Sequence, residues 1–121
     1  MNMGGIRTFI AALRAARAVG RAARLQANGH LSAARVAAIA GLEALRGPRV
    51  ARQAPHAASA LAALTLIAEE SCLEHEPGAS LEDIADSLQF LRSIEGDPQP
   101  ELCDGIPFLE RRLLERSMGN A

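Results

Sequence analysis

The sequence predicts an all-α fold, a compact bundle of about five helices, and its composition carries that prediction. Almost half of the 121 residues are hydrophobic, and Ala dominates that share. Aromatic residues make up 2% of the chain, and Phe9, Phe90 and Phe108 are the full set. Sheets favour β-branched and aromatic residues, whereas Ala and Leu favour closely packed helices. The chain length fits a single helical domain that covers residues 1–121.

Glycine and proline divide the chain into these helices. We expect helices at about 5–27, 31–45, 55–75, 81–95 and 107–118. Asn28-Gly29 is a usual C-terminal stop for a helix, and Gly47-Pro48 ends the second one. Pro55 and Pro107 suit the first turn of a helix. Ser80 is expected to cap the fourth helix, with Asp83 in the acidic position of a capping box.

The third helix is predicted to be the centre of the bundle. Taken as 57–75, it is apolar nearly all round from Ala57 to Ala68, which is typical of a buried helix. Glu69, Glu70 and Glu74 follow towards its C-terminus, where acidic side chains are unfavourable. We therefore expect a positively charged group to offset these acids, and the arginines of the first helix, in this chain or in a partner, are the obvious candidate.

Charge is strongly segregated along the chain although the net charge is only −1. Residues 1–60 hold nine Arg and one acid, Glu43, whereas residues 61–121 hold four Arg and 13 acids. All the basic residues are Arg. Such asymmetry indicates charged partners, or two halves that neutralise each other within one chain or across a dimer.

The first helix concentrates this positive charge on one face. At about 100° per residue, five arginines fall within one arc of roughly 100°. They are Arg7, Arg14, Arg17, Arg21 and Arg24, and we call them the Arg face. Three roles stay open for it: pairing with the acidic half of the chain, binding a partner's acidic surface, or contacting phosphates of nucleic acid or an anionic membrane.

A second stripe on the first helix is predicted to pack against another helix, in the chain or in a homodimer. Its members follow one another at spacings of three and four; they are Phe9, Leu13, Ala16, Gly20 and Ala23, and we call them the small seam. Small residues at this spacing allow another helix to approach closely. Gly20 in mid-helix costs up to about 1 kcal/mol relative to Ala, so close packing there would be a compensation.

Residues 36–52 raise the alternative of DNA binding. Val36-Ala37 and Ala40-Gly41-Leu42 resemble the first helix and turn of bacterial repressor helix-turn-helix motifs, with Gly41 at the turn. The resemblance covers about seven residues and departs from the motif at Gly47-Pro48, where the recognition helix should continue. It implies a degenerate motif. The arginines that would contact DNA are Arg35, Arg46, Arg49 and Arg52.

A weak zinc site is the remaining chemical alternative. Cys72 and His75 lie one helical turn apart, and Cys103 could supply a third ligand. A lone pair of this kind is more often structural, so we expect no metal and no cofactor. No glycine-rich phosphate loop or calcium loop is present in the sequence.

These observations predict a non-catalytic interaction protein. We expect a small cytoplasmic adaptor, regulator or immunity-like binder of bacterial type, whose partner is another protein or a second copy of itself. The Arg face or the small seam would form the contact. The arginines of the N-terminal stretch interrupt its apolar residues, so we expect no secretory signal. The longest nearly apolar run, 57–68, is too short to span a membrane. An enzyme is the most remote alternative.

Overall fold

The computed structural model describes residues 3–46, 55–72, 78–93 and 105–119, and it confirms the all-α prediction. These ranges contain five helices and no strand. The helices are α1 Met3–Ala27, α2 Leu31–Leu45, α3 Pro55–Glu70, α4 Leu81–Ser93 and α5 Gly105–Gly119.

Several helix boundaries differ from the sequence prediction, and the end of α3 and the start of α5 are two of them. The predicted end of α3 at residue 75 is wrong, because the helix ends at Glu70, where the Cys72 N–H donates to the Glu69 carbonyl and tightens the last turn. α5 begins at Gly105, two residues before the predicted start. Pro107 still lies in the first turn, where its missing N–H costs nothing.

The turn between α1 and α2 has the predicted glycine stop. Gly29 has a φ of 80°, a left-handed conformation that glycine adopts without strain. The Gly29 N–H donates to the Gln26 carbonyl at 3.0 Å, and the His30 N–H donates to the Leu25 carbonyl at 2.9 Å. This pair of bonds is a Schellman motif. The three-residue connection makes α1 and α2 antiparallel neighbours.

α3 lies at the centre of the bundle, as predicted. α1 and α2 pack against it on one side, α4 packs on the other, and α5 lies on α4 and touches α3. Ala57, Leu61, Leu64 and Ala68 of α3 are all buried. Every buried apolar side chain among the described residues is Ala, Leu or Ile, so closely packed small and aliphatic side chains form this core.

Gly41 allows α1, α2 and α3 to meet closely. A Cβ atom at this position would lie 2.7 Å from the Ala18 Cβ atom of α1 and 2.8 Å from the Leu64 Cδ1 atom of α3. Both distances are far shorter than van der Waals contact. Gly41 is thus a packing residue inside a continuous helix.

The far side of α3 is joined to α4 by a small polar contact and a helix cap. The Ser87 hydroxyl donates to Thr65 Oγ1 at 2.7 Å, and Thr65 donates to the Leu61 carbonyl at 2.7 Å, so these buried hydroxyls are satisfied. The Asp83 N–H donates to Ser80 Oγ at 3.1 Å. This bond confirms Ser80 as the predicted cap of α4, whereas the Asp83 carboxylate pairs with Arg46 and does not complete the capping box.

Candidate interaction surface on the first helix

The face of α1 that packs into the bundle differs from the predicted one. Ala15 and Ala22 are fully buried, and Ala18, Val19 and Leu25 pack beside them against the core. The small seam faces solvent instead, and a Cβ atom at Gly20 would have no atom of another helix within 4 Å. The prediction that this seam packs against another helix of the chain is therefore wrong. Its use in a homodimer stays a prediction.

The first half of α1 carries a cluster of large apolar side chains that point outward. Their spacing of i, i+3, i+4 and i+7 places them on one helical face, and they are 42–68% exposed. They are Ile6, Phe9, Ile10 and Leu13, and we call them the apolar cluster. Large exposed apolar groups grouped together mark interaction sites more often than single ones do.

All five residues of the Arg face are exposed, and they lie beside the apolar cluster on the outer side of α1. Within the described ranges, none of them forms an ion pair with a carboxylate. Arg24 Nε donates to the Gly20 carbonyl of its own helix at 3.3 Å. α1 contains no acid that could compensate this charge.

Glu69 is neutralised by arginines of its own, acidic half of the chain. Its carboxylate is fully buried at the end of α3, 2.6 Å from Arg116 Nη2 and 3.6 Å from Arg112 Nε, both on α5. The Ala79 N–H also donates to Glu69 Oε1 at 2.9 Å. A positive group does offset this acid, as expected, but α5 supplies it and the Arg face does not.

The other described ion pairs also join acids to arginines outside the Arg face. Arg46 Nη2 lies 2.8 Å from Asp83 Oδ2, and this hydrogen bond, followed by Coulomb attraction, raises the pKa of the Arg46 guanidinium. Arg92 pairs with Glu110 at 3.4 Å, and Glu115 lies 3.7 Å from Arg112. The described ion pairs therefore leave the Arg face unneutralised.

The arginines proposed for DNA contact are not brought together on the described surface. Arg46 is engaged by Asp83, and Arg35 is half-buried with an interaction of its own. Arg49 and Arg52 lie outside the described residues. The turn that the helix-turn-helix resemblance implies at Gly41 is not formed, because α2 continues from Leu31 to Leu45, as the helix prediction for 31–45 has it.

The weak zinc candidate is not tested by the structure. Cys72 is half-buried just after α3, whereas His75 and Cys103 lie outside the described residues. Within the described ranges, no three His, Cys, Asp or Glu side chains are grouped as metal ligands would be.

A second exposed apolar region lies between α4 and α5. Leu114 and Met118 of α5 are exposed, and Leu88 and Leu113 line an open groove beside them. Arg92, Glu110 and Arg111 also border this groove, and the first two form an ion pair. Because this groove carries charges of both signs, its charge does not indicate the kind of partner it would bind. The outer side of α1, in contrast, carries only positive charge.

The apolar cluster is a surface feature that sequence reasoning identifies only in part, since it assigns Phe9 and Leu13 to the small seam and does not single out Ile6 and Ile10. The helical spacing of these residues is visible in the sequence. However, α1 has two apolar stripes, and the stripe with the larger side chains is the one that faces solvent. The buried stripe is mostly Ala because Gly41 and the small residues of α2 bring the helices close together.

None of the described helices has both the length and the apolar content needed to cross a membrane. No family model, curated protein or solved structure matches this chain.

Proposed function

We propose that this protein is a non-catalytic interaction module that binds another protein through the outer side of α1. The observation that carries the proposal is the conjunction on one helix face of four exposed apolar side chains and five exposed arginines that no described acid neutralises. The partner is a protein surface that is acidic along part of its length and apolar along the rest.

The two parts of this surface supply different contributions to binding. Burying the apolar cluster against a partner removes apolar area from water, at about 25 cal/mol per Å². The arginines add specificity and faster association through charge complementarity, and they repel basic surfaces. Arg is also enriched at protein interfaces, together with large aromatic residues such as Phe9.

A protein partner fits this surface better than nucleic acid. Single-stranded nucleic acid binding normally uses several aromatic platforms, and Phe9 is the one aromatic residue of α1. Most contacts to a DNA duplex are made to its charged backbone, which offers the apolar cluster little apolar surface to bury. Acidic protein surfaces can satisfy both components together.

Photocrosslinking in living cells tests this proposal. A photoreactive amino acid replaces Ile10 in the apolar cluster, and a matched variant carries it at Val36, which is exposed on α2. We expect a crosslinked protein from position 10 and none from position 36. The product should disappear when Arg17 and Arg21 are both changed to Glu, because charge reversal repels an acidic partner.

Equal crosslinking from positions 10 and 36, or a product that survives the double charge reversal, would contradict the proposal. A crosslink to nucleic acid would replace it with the DNA-binding alternative. In that case, affinity for duplex DNA should fall steeply as salt is added.

A further inference from the structure

We infer that the partner segment is an acidic amphipathic helix that lies antiparallel to α1, with its acids in its N-terminal half. This inference rests on the proposed function and specifies the shape, charge pattern and direction of the segment. It follows from the order in which α1 presents its exposed side chains.

The outer side of α1 has an apolar end and a basic end. The apolar cluster occupies residues 6–13, whereas four of the five arginines lie between residues 14 and 24. At about 1.5 Å per residue, residues 6–24 span about 27 Å, the length of a partner helix of about 18 residues. A complementary segment therefore has an apolar half and an acidic half.

Space along α1 favours a helix as the form of this segment. Ala16, Gly20 and Ala23 lie exposed beside the arginines, and the space over Gly20 is open. Small side chains allow two helix axes to approach closely while longer side chains reach across from the edge. A helix resting there places its acids within reach of Arg17, Arg21 and Arg24.

The helix dipole then selects the direction. Acidic side chains near the N-terminus stabilise a helix and those near its C-terminus destabilise it, chiefly in the first and last turns. Because the arginines lie in the C-terminal half of α1, a partner with acids near its own N-terminus must run antiparallel. A parallel partner would carry its acids at the unfavourable end.

Other occupants fit this surface less well. α4 of a second copy has acids near its N-terminus, but its large apolar residues Ile84, Leu88 and Leu91 are buried in the fold and cannot reach α1. A membrane-lying helix buries a large apolar face opposite its basic face. On the outer side of α1 the large apolar residues stop at Leu13.

Two designed 18-residue peptides test the inference. Both have the same length and composition and differ only in the order of their halves, so a difference in affinity reports where the acids lie relative to the helix dipole. The forward peptide has Glu in its N-terminal half and Leu and Ala in its C-terminal half, and the swapped peptide has the reverse order. We expect the forward peptide to bind the full chain about fivefold more tightly in fluorescence anisotropy at low salt.

Direction is read with a photoreactive group on the N-terminus of the forward peptide. Mass spectrometry should locate its crosslinks at α1 residues 21–27 and not at residues 3–10. Changing Arg17 and Arg21 to Glu should weaken binding of the forward peptide about tenfold or more. Arg111→Glu is the matched control, because Arg111 is exposed on α5, and it should leave the affinity unchanged.

Several results would overturn the inference. One is equal affinity for the two peptides, and another is crosslinking of the forward N-terminus to residues 3–10. Displacement of the forward peptide by phosphatidylglycerol vesicles, with loss of vesicle binding in Phe9→Ser, would assign the surface to a membrane. If neither peptide binds while the cellular crosslink persists, the helical partner is wrong and the proposed function stands. If the cellular crosslink is also absent, both are wrong.

Discussion

Glu69 joins three parts of the fold through one buried carboxylate. It lies at the end of α3, accepts the Ala79 N–H before α4, and pairs with Arg116 and Arg112 of α5. A buried charge is tolerated only when it is paired and hydrogen-bonded. α5 therefore depends on this contact as well as on its buried Leu109.

Removing the closer arginine should destabilise the fold. Arg116→Met leaves the fully buried Glu69 without its shortest ion pair, and we expect a loss of about 3 kcal/mol in the free energy of unfolding. The control is Arg111→Met on the same helix, which removes an exposed side chain and should change stability by less than about 0.5 kcal/mol. Urea denaturation measures both. Equal effects of the two substitutions would show that the buried pair does not hold α5.

The surroundings of Gly41 and Gly20 lead us to expect opposite effects on stability when each is changed to Ala. Gly41→Ala places a Cβ atom 2.7 Å from Ala18 Cβ, and we expect a loss of about 1–3 kcal/mol from overpacking. Gly20→Ala enters open space within a helix and should stabilise by about 0.5–1 kcal/mol. Chemical denaturation compares the two. A neutral or stabilising Gly41→Ala would mean that the three helices do not meet as described.

Among the elements, α1 shows how far the sequence predicts this structure. Its bounds and its glycine stop follow from local chemistry, and the burial of α3 follows from its apolar residues. The face of α1 that packs into the bundle could not be predicted from local chemistry. Hydrophobicity favours the stripe with Phe9 and Leu13, whereas the fold buries the Ala stripe with Ala15 and Ala22. That choice depends on the close approach at Gly41, a contact between distant residues.

Adjacent alanines test which face of α1 is buried. Ala22→Leu inserts three carbon atoms into a fully buried site, and we expect a loss of about 1–3 kcal/mol. Ala23→Leu adds the same atoms on the exposed side and should be nearly neutral. Thermal unfolding of the two variants gives the comparison. If Ala23→Leu proved the more damaging, the small seam would be the face that packs.

At the scale of the molecule, the described residues keep most of the basic charge of the first half apart from the acids of the second. Among the described residues, Arg92, Arg112 and Arg116 of the second half pair with acids of that half, and Arg46 extends the network by pairing with Asp83. The total charge of each half was predictable from the sequence. The ion pairs were not, because they join residues far apart in the chain. The Arg face takes part in none of these ion pairs and forms a basic outer surface on α1.

The most direct test of this account is the stability of a chain whose arginines on this surface are neutralised. Arg17→Gln combined with Arg21→Gln should change the free energy of unfolding by less than about 0.5 kcal/mol at both low and high salt, because no described acid pairs with either side chain. Arg46→Gln is the positive control and should cost about 1 kcal/mol, since it breaks the pair with Asp83. A loss of more than about 1 kcal/mol in the double variant, abolished by high salt, would place the missing acids within this chain and contradict an interaction surface on α1.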